Sequence, residues 1–427
     1  MRNPSRSAGV PAFFEPAMLA LHFGEPRPQA LGQLSDSAWR KLLAFGDLAH
    51  LTLPLVLRSD AGVPAWVQQR VAQNLVDNRE RRLRIAGAYR EIALAFDDSR
   101  VDHLVFKGFA QYPDFVPAPD TRMQSDIDIY CPRTMIPAAQ AALQRLGYIG
   151  NRALEKYPAD HLPEMTRRGS WRWRGNFYDP EMPPAVDLHY CLWNESTTRV
   201  AVDGVHEFWD RREMREGAGF QFPGLCTVDS LAFSALHILR DLMRGDWVLH
   251  HVYEMAYFMN NSAEDNSLWD KWSQIHDRRM RSLQAVSFQL ARLWFGCRCS
   301  AAVEDEIEQL STPVKQWLER FSESPLTGMF APNKHGLWLH LALLPITKDK
   351  LLIVGNTLLP LRLPRPGADG QAATKTRRLR RFWPSQKHIR YVLHVIFRSA
   401  FHLKMIPDTL WRGLGWWFAQ RQSGRTA

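Results

Sequence analysis

Cysteine is scarce in this chain. Cys131, Cys191, Cys226, Cys297 and Cys299 are five thiols among 427 residues, an odd and sparse set. That argues against a disulfide framework and fits a reducing compartment. The Cys297-Arg298-Cys299 spacing suits neither the usual zinc nor the usual redox pairs, so both thiols read as incidental. No apolar core of signal length follows the basic start Met1-Arg2-Asn3-Pro4-Ser5-Arg6, and the expected location is cytoplasmic. A membrane-spanning run is missing too: Lys348, Asp349 and Lys350 interrupt the apolar stretch at 338–363. Acid is nearly absent from the C-terminus. From Lys375 onward there are twelve Lys or Arg and one acid, Asp408, whereas the rest of the chain holds 42 basic and 43 acidic residues. The net charge of +10 therefore belongs to the tail, and the remainder offers no basic groove for nucleic acid. With 45% hydrophobic residues, a chain of this length can bury two or three cores.

What is present centres on 104–189. In Ser125-Asp126-Ile127-Asp128-Ile129 the acids alternate with apolar residues, so a strand would turn both carboxylates to one face and Ile127 and Ile129 to the other. Val186-Asp187-Leu188-His189 repeats the pattern about sixty residues later, and a neighbouring strand would bring Asp187 beside the first pair. Three converging carboxylates need a cation, and hard oxygen donors select Mg²⁺ or Mn²⁺. Upstream, His103-Leu104-Val105-Phe106 reads as a buried strand that ends in a Lys107-Gly108 turn, where glycine lets the backbone approach a ligand.

The surrounding sequence suggests six segments. Residues 1–30 are a Pro-rich, irregular lead-in. Residues 31–100 form a helical layer, with Ser37 as a helix cap and Asn78-Arg79-Glu80-Arg81-Arg82 on the wet side of a helix over Trp66 to Phe96. Residues 101–224 are the sheet-bearing core, with a helix from Thr134 to Leu146 stopped at Gly147. Within it, the alternating Trp171-Arg172-Trp173-Arg174 is consistent with a strand facing an anionic substrate or with an ordinary edge strand. Residues 209–224 read as a connector ending at Pro223-Gly224. Residues 225–330 form an all-helical domain, 331–373 apolar helices and a linker, and 374–427 a basic aromatic tail. His250 and His251, adjacent on a helix, point to different faces and do not readily share one ion. His237 and His250 lie on consecutive helices, and one of them is expected to face the cleft.

Arg377-Arg378-Leu379-Arg380-Arg381-Phe382-Trp383 opens the tail, and Trp411, Trp416 and Trp417 follow. Cations mixed with large rings suit peripheral contact with an anionic bilayer, a phosphate-rich polymer, or a helical appendage whose basic side is simply solvated.

The order Lys107-Gly108, Arg122, Ser125-Asp126-Ile127-Asp128, Leu146-Gly147-Tyr148, His161-Leu162 and Val186-Asp187-Leu188-His189 resembles a family of bacterial nucleotidyltransferase-like proteins in the DNA polymerase beta superfamily, over about 50 to 260. The resemblance implies an α+β fold: a small mixed, polymerase-beta-like sheet flanked by helices, with an all-helical C-terminal domain. It implies that Asp126, Asp128 and Asp187 are the catalytic and metal-binding acids, with an NTP such as ATP and a hydroxyl-bearing acceptor as substrates. Lys107 and Gly108 stand where relatives have a Gly-Ser turn for nucleotide phosphates, and with Arg122 and Ser125 they complete the nucleotide-binding set. Lys107 departs from that turn and would offer a positive charge to the triphosphate, whereas Arg122 would hold phosphate or fix the acidic strand. Genes near family members point to polysaccharide or natural-product synthesis. The competing expectation is a non-catalytic accessory protein that keeps the fold and binds a nucleotide or a partner.

Overall fold

The computed structural model describes residues 9–59, 62–150, 159–217, 219–359 and 386–423. The linker expected at 364–373 and the Arg377–Trp383 run lie outside them.

Seven strands form one mixed sheet. They are β1 (Leu104–Val105), β2 (Asp126–Tyr130), β3 (Tyr148–Gly150), β4 (Met165–Arg167), β5 (Ala185–His189), β6 (Glu213–Gly217) and β7 (Phe220–Gly224), in the order β3-β4-β5-β2-β1-β7-β6. β2 and β5 run parallel at the centre, and β1 joins β2 antiparallel and β7 parallel. The β6–β7 hairpin occupies residues expected to be only a connector, and Val105 pairs with Gly224 across the sheet.

Period-2 alternation on β2 and β5 divides the two faces of the sheet. Ile127, Ile129, Val186 and Leu188 are fully buried against Ile85, Tyr89, Ile92 and Phe96 of the long Ala65–Asp98 helix and against the Ile136–Arg145 helix. Asp126, Asp128 and Asp187 occupy the opposite face. There the Thr227–Arg244 helix lies over the sheet, with Phe233 meeting Phe106 edge to face at 4.8 Å.

The Ala65–Asp98 helix corrects one expectation. Its buried stripe runs through Val67, Val71, Asn74, Asn78, Arg81, Ile85 and Tyr89 at three- and four-residue spacing, so Asn78 and Arg81 lie on the core side rather than the wet side. Apolar content alone hid this, because polar residues continue an apolar stripe.

Other boundaries shift for local reasons. Ser35, not Ser37, caps the Asp36–Leu48 helix by accepting the Ala38 amide at 3.3 Å. The lead-in contains the Phe14–Leu21 helix, whose Phe14 is buried against Phe45 and Phe330. Residues 171–174 form no strand; the Trp171 indole instead donates to Asp179 Oδ2 at 2.9 Å.

From Thr227 to Leu358 the described elements are all helical, and Gly245 in the left-handed region closes the Thr227–Arg244 helix. The tail contributes one 38-residue helix, Gln386–Ser423, with Pro407 inside it. Trp416 packs on Trp338 with ring centroids 5.7 Å apart. Among the described residues no helix is long and apolar enough to cross a membrane.

Candidate active site

Strand register builds the acidic cluster. Asp128 and Asp187 are direct cross-strand partners on β2 and β5, and Asp126, paired with Ala185, lies two residues away on the same face. Tyr130 pairs with His189, so His189 follows Asp187 on that face.

Each acid has a different environment. The Lys107 ammonium donates to Asp128 Oδ1 at 2.8 Å, and His189 Nε2 lies 2.9 Å from the same oxygen. Burial opposes ionisation of Asp128, but Lys107 and the His189 hydrogen bond outweigh it and hold this carboxyl far below the usual range. Asp126 is pushed up to about 6 by burial and then by the Asp128 charge. Burial, followed by the charges of Asp128 and Asp126, pushes Asp187 up to about 8. Its Oδ1 is buried without a hydrogen bond; the nearest cation-forming group is His161 Nδ1, 3.9 Å away. His189 is held to about 4 by burial, so it is a neutral donor at physiological pH.

The donor chemistry fits a divalent cation. One donor atom each from Asp128, Asp187 and His189 lie within 4.8 Å of one another, and the Asp187 Oδ1 oxygen is buried without a hydrogen bond. Burial first, and the neighbouring carboxylate charge second, raise Asp126 and Asp187, so a bound dication would favour ionising both.

The structure places the other expected residues as follows. Gly108 has φ +50°, and an added Cβ would lie 2.1 Å from Gln124 Nε2. The missing side chain therefore gives Gln124 room to donate to the Asp126 carbonyl at 2.6 Å. The space beside Gly108, Arg122 and Gln124 is about 20 Å³, roughly one water. Ser125 acts through its carbonyl, which accepts from the Ala185 amide and from Arg81. Arg122 does not pair with the acids: its Nε binds Glu254 Oε1 at 2.8 Å, although its charge still favours ionised Asp126.

Sequence reasoning missed Arg81 and His189 as site-shaping residues. The buried Arg81 guanidinium donates to four carbonyls, those of Gln124 and Met182 at 2.7 Å and of Ser125 and Asp179 at 3.3 Å. It thereby ties together the two loops that lead into β2 and β5. Its signal was the continuation of the apolar stripe, and that of His189 was its position two residues beyond Asp187.

A family model described as uncharacterised nucleotidyltransferase matches residues 35–296, more than half of the chain. The chain belongs to this family. No curated protein and no solved structure matches it. Nucleotidyltransferase membership agrees at a coarse level with a transferase that uses a nucleotide. The matched segment includes the whole sheet and the Ala65–Asp98, Thr227–Arg244 and Leu249–Ser262 helices.

Behind the acids, the Thr227–Arg244 and Leu249–Ser262 helices bring together a histidine group. His237 contacts His251 and His250 contacts His50, with ring centroids 4.8 and 4.9 Å apart. Burial holds His237 at about 4 and takes His250 and His251 well below their usual value.

Proposed function

We propose that the protein moves a nucleoside monophosphate from an NTP, ATP foremost, to a hydroxyl-bearing acceptor, with Mg²⁺ or Mn²⁺ held by Asp126, Asp128 and Asp187. The observation that supports this most directly is the Asp128–Asp187 register pair with its orphaned buried oxygen. When bound, the dication would neutralise charge at the α-phosphate and the leaving pyrophosphate. The chain's own residues divide the remaining work. Asp187, ionised once a dication offsets the neighbouring acids, accepts the proton of the acceptor hydroxyl. Lys107, fixed on Asp128, adds positive charge at the nucleotide's phosphates. Arg81 keeps the strand entrances in register, so that the carboxylates meet substrate without rearranging.

On this reading, residues 101–224 are a polymerase-beta-like core, and the helices of 225–330 close a cleft over it. A cavity of about 200 Å³ lined by His50, Arg58, Arg122, Tyr253, Glu254 and Tyr257 is the place for the nucleobase or the acceptor. Arg122 connects that cavity to Asp126 through its charge. The acceptor is a hydroxyl of a surface-polymer or natural-product precursor in the cytoplasm. Exposed Ile396, Phe397, Leu403 and Trp411 on the Gln386–Ser423 helix support peripheral membrane contact.

Calorimetric titration with ATP, with and without Mg²⁺, combined with label transfer from α-labelled nucleotides into cell extract, tests the proposal. Metal-dependent binding lost in Asp128→Ala supports it, and absence of nucleotide binding under every condition rejects it. The Lys107–Asp128 ion pair favours a second reading, because an internal cation already neutralises one acid. A non-catalytic accessory protein would bind ATP equally with and without Mg²⁺ and transfer no label.

A further inference from the structure

The geometry points to a second metal centre, distinct from the acidic cluster, in which His237, Asp241 and His251 hold a first-row transition dication of the Zn²⁺ class. His237 and Asp241 are one turn apart on the Thr227–Arg244 helix, so their side chains share a face. His237 Nε2 lies 2.9 Å from an Asp241 carboxylate oxygen. From the next helix, Leu249–Ser262, His251 brings its ring to 4.8 Å from that of His237. One donor atom from each of the three residues lies within 4.8 Å of the others. Two ligand atoms bound at about 2.0 Å to a tetrahedral ion sit about 3.3 Å apart, so the His237–Asp241 contact opens by only a few tenths of an ångström on binding.

A buried carboxylate borders the group at His251. Glu254 Oε2 is buried with no hydrogen bond and lies 3.8 Å from His251 Nδ1, while its other oxygen is held by Arg122. It lies outside the three-residue group and borders it through His251 alone. Arg240 Nε donates to the other oxygen of Asp241 at 3.0 Å and also binds Asp160, the kind of outer support that fixes a ligating carboxylate.

Two imidazoles change the metal preference. Two nitrogen donors favour zinc, cobalt or nickel, whereas the carboxylates proposed to hold the catalytic ion, Asp126, Asp128 and Asp187, favour Mg²⁺ or Mn²⁺. The two centres would therefore hold different ions, and the second would clamp the helix that covers the acids to its neighbour. None of this depends on nucleotidyl transfer.

The full-length protein, stripped with chelator and titrated with Co²⁺, provides the test. The expected result is one tightly bound equivalent with the intense visible absorption of tetrahedral cobalt, displaced by Zn²⁺. Asp187→Asn should leave that spectrum unchanged, while His237→Ala and His251→Gln each weaken binding by about 100-fold or more. Circular dichroism confirms that each variant is folded. If the wild-type protein shows no visible Co²⁺ band at equimolar metal, the centre does not exist, whatever the variants do. A band that survives in both folded histidine variants, or disappears in Asp187→Asn, also overturns the assignment.

Discussion

Arg81 is buried and Asp187 half-buried, both are ionisable and both adjoin the central strand pair, yet the fold treats them in opposite ways. Arg81 meets four carbonyls and has its charge spread over them. Asp187 keeps one buried oxygen without a hydrogen bond, beside two like charges. A buried charge that the protein satisfies holds the structure together, whereas one that it leaves wanting lowers stability and marks where a ligand belongs. The two residues therefore predict opposite balances of stability and function.

The largest effect breaks the Asp187 side. Asp187→Asn is expected to cut label transfer by about 10³-fold without lowering the unfolding temperature measured above about pH 8, where the variant removes a repelled charge. A variant that melts early would show Asp187 to be structural. Next comes Arg81→Met, which leaves several buried carbonyls without donors and should destabilise by about 3 kcal/mol or more in urea unfolding. Loss of activity there should track loss of folded protein.

pH sharpens the contrast further. The Asp187 carboxyl titrates near 8 in the fold, against about 4 in an unfolded chain. Because the folded value is raised, its stabilising contribution is complete below about pH 4 and is lost as pH climbs toward 8. Metal-free protein should lose about 1 kcal/mol per pH unit across the upper part of that window. Saturating Mn²⁺ should flatten the slope, as should Asp187→Asn; a wild-type melting temperature flat from pH 6 to 8 without metal would contradict it. The smallest effect is expected at Arg84. Its exposed pairs with Glu80 and Glu181 should make Arg84→Ala worth less than about 0.5 kcal/mol.

The comparison also explains what was legible beforehand. Strand alternation made Asp126, Asp128 and Asp187 readable, because period 2 is local and the apolar partners Ile127, Ile129, Val186 and Leu188 show which face is core. Their pairing was readable only as a possibility, since register across sixty residues depends on packing. Arg81 was misread because charge is a good guide to exposure until a guanidinium meets a set of carbonyls supplied by residues 43 to 101 positions away. Arg122 is similar: no local pattern reveals that Glu254, on a helix 132 residues later, would take it. The β6–β7 hairpin was missed because Glu213-Met214-Arg215-Glu216 is an exposed edge with little apolar alternation.

The packing of the first helix has a practical consequence for making the protein. The family match spans 35–296, and those limits would be the natural places to trim an expression clone. Yet Phe14 sits against Phe330, and the Phe23 amide bonds to the Phe295 carbonyl at 2.7 Å. A clone cut at both limits would remove Phe14, Phe23 and Phe330 together, uncover the aromatic surface they share with Phe45 and Tyr253, and yield aggregated material in the purification trials needed to assay it. A clone that runs from residue 9 through 423 keeps these contacts and the Trp338–Trp416 packing as well.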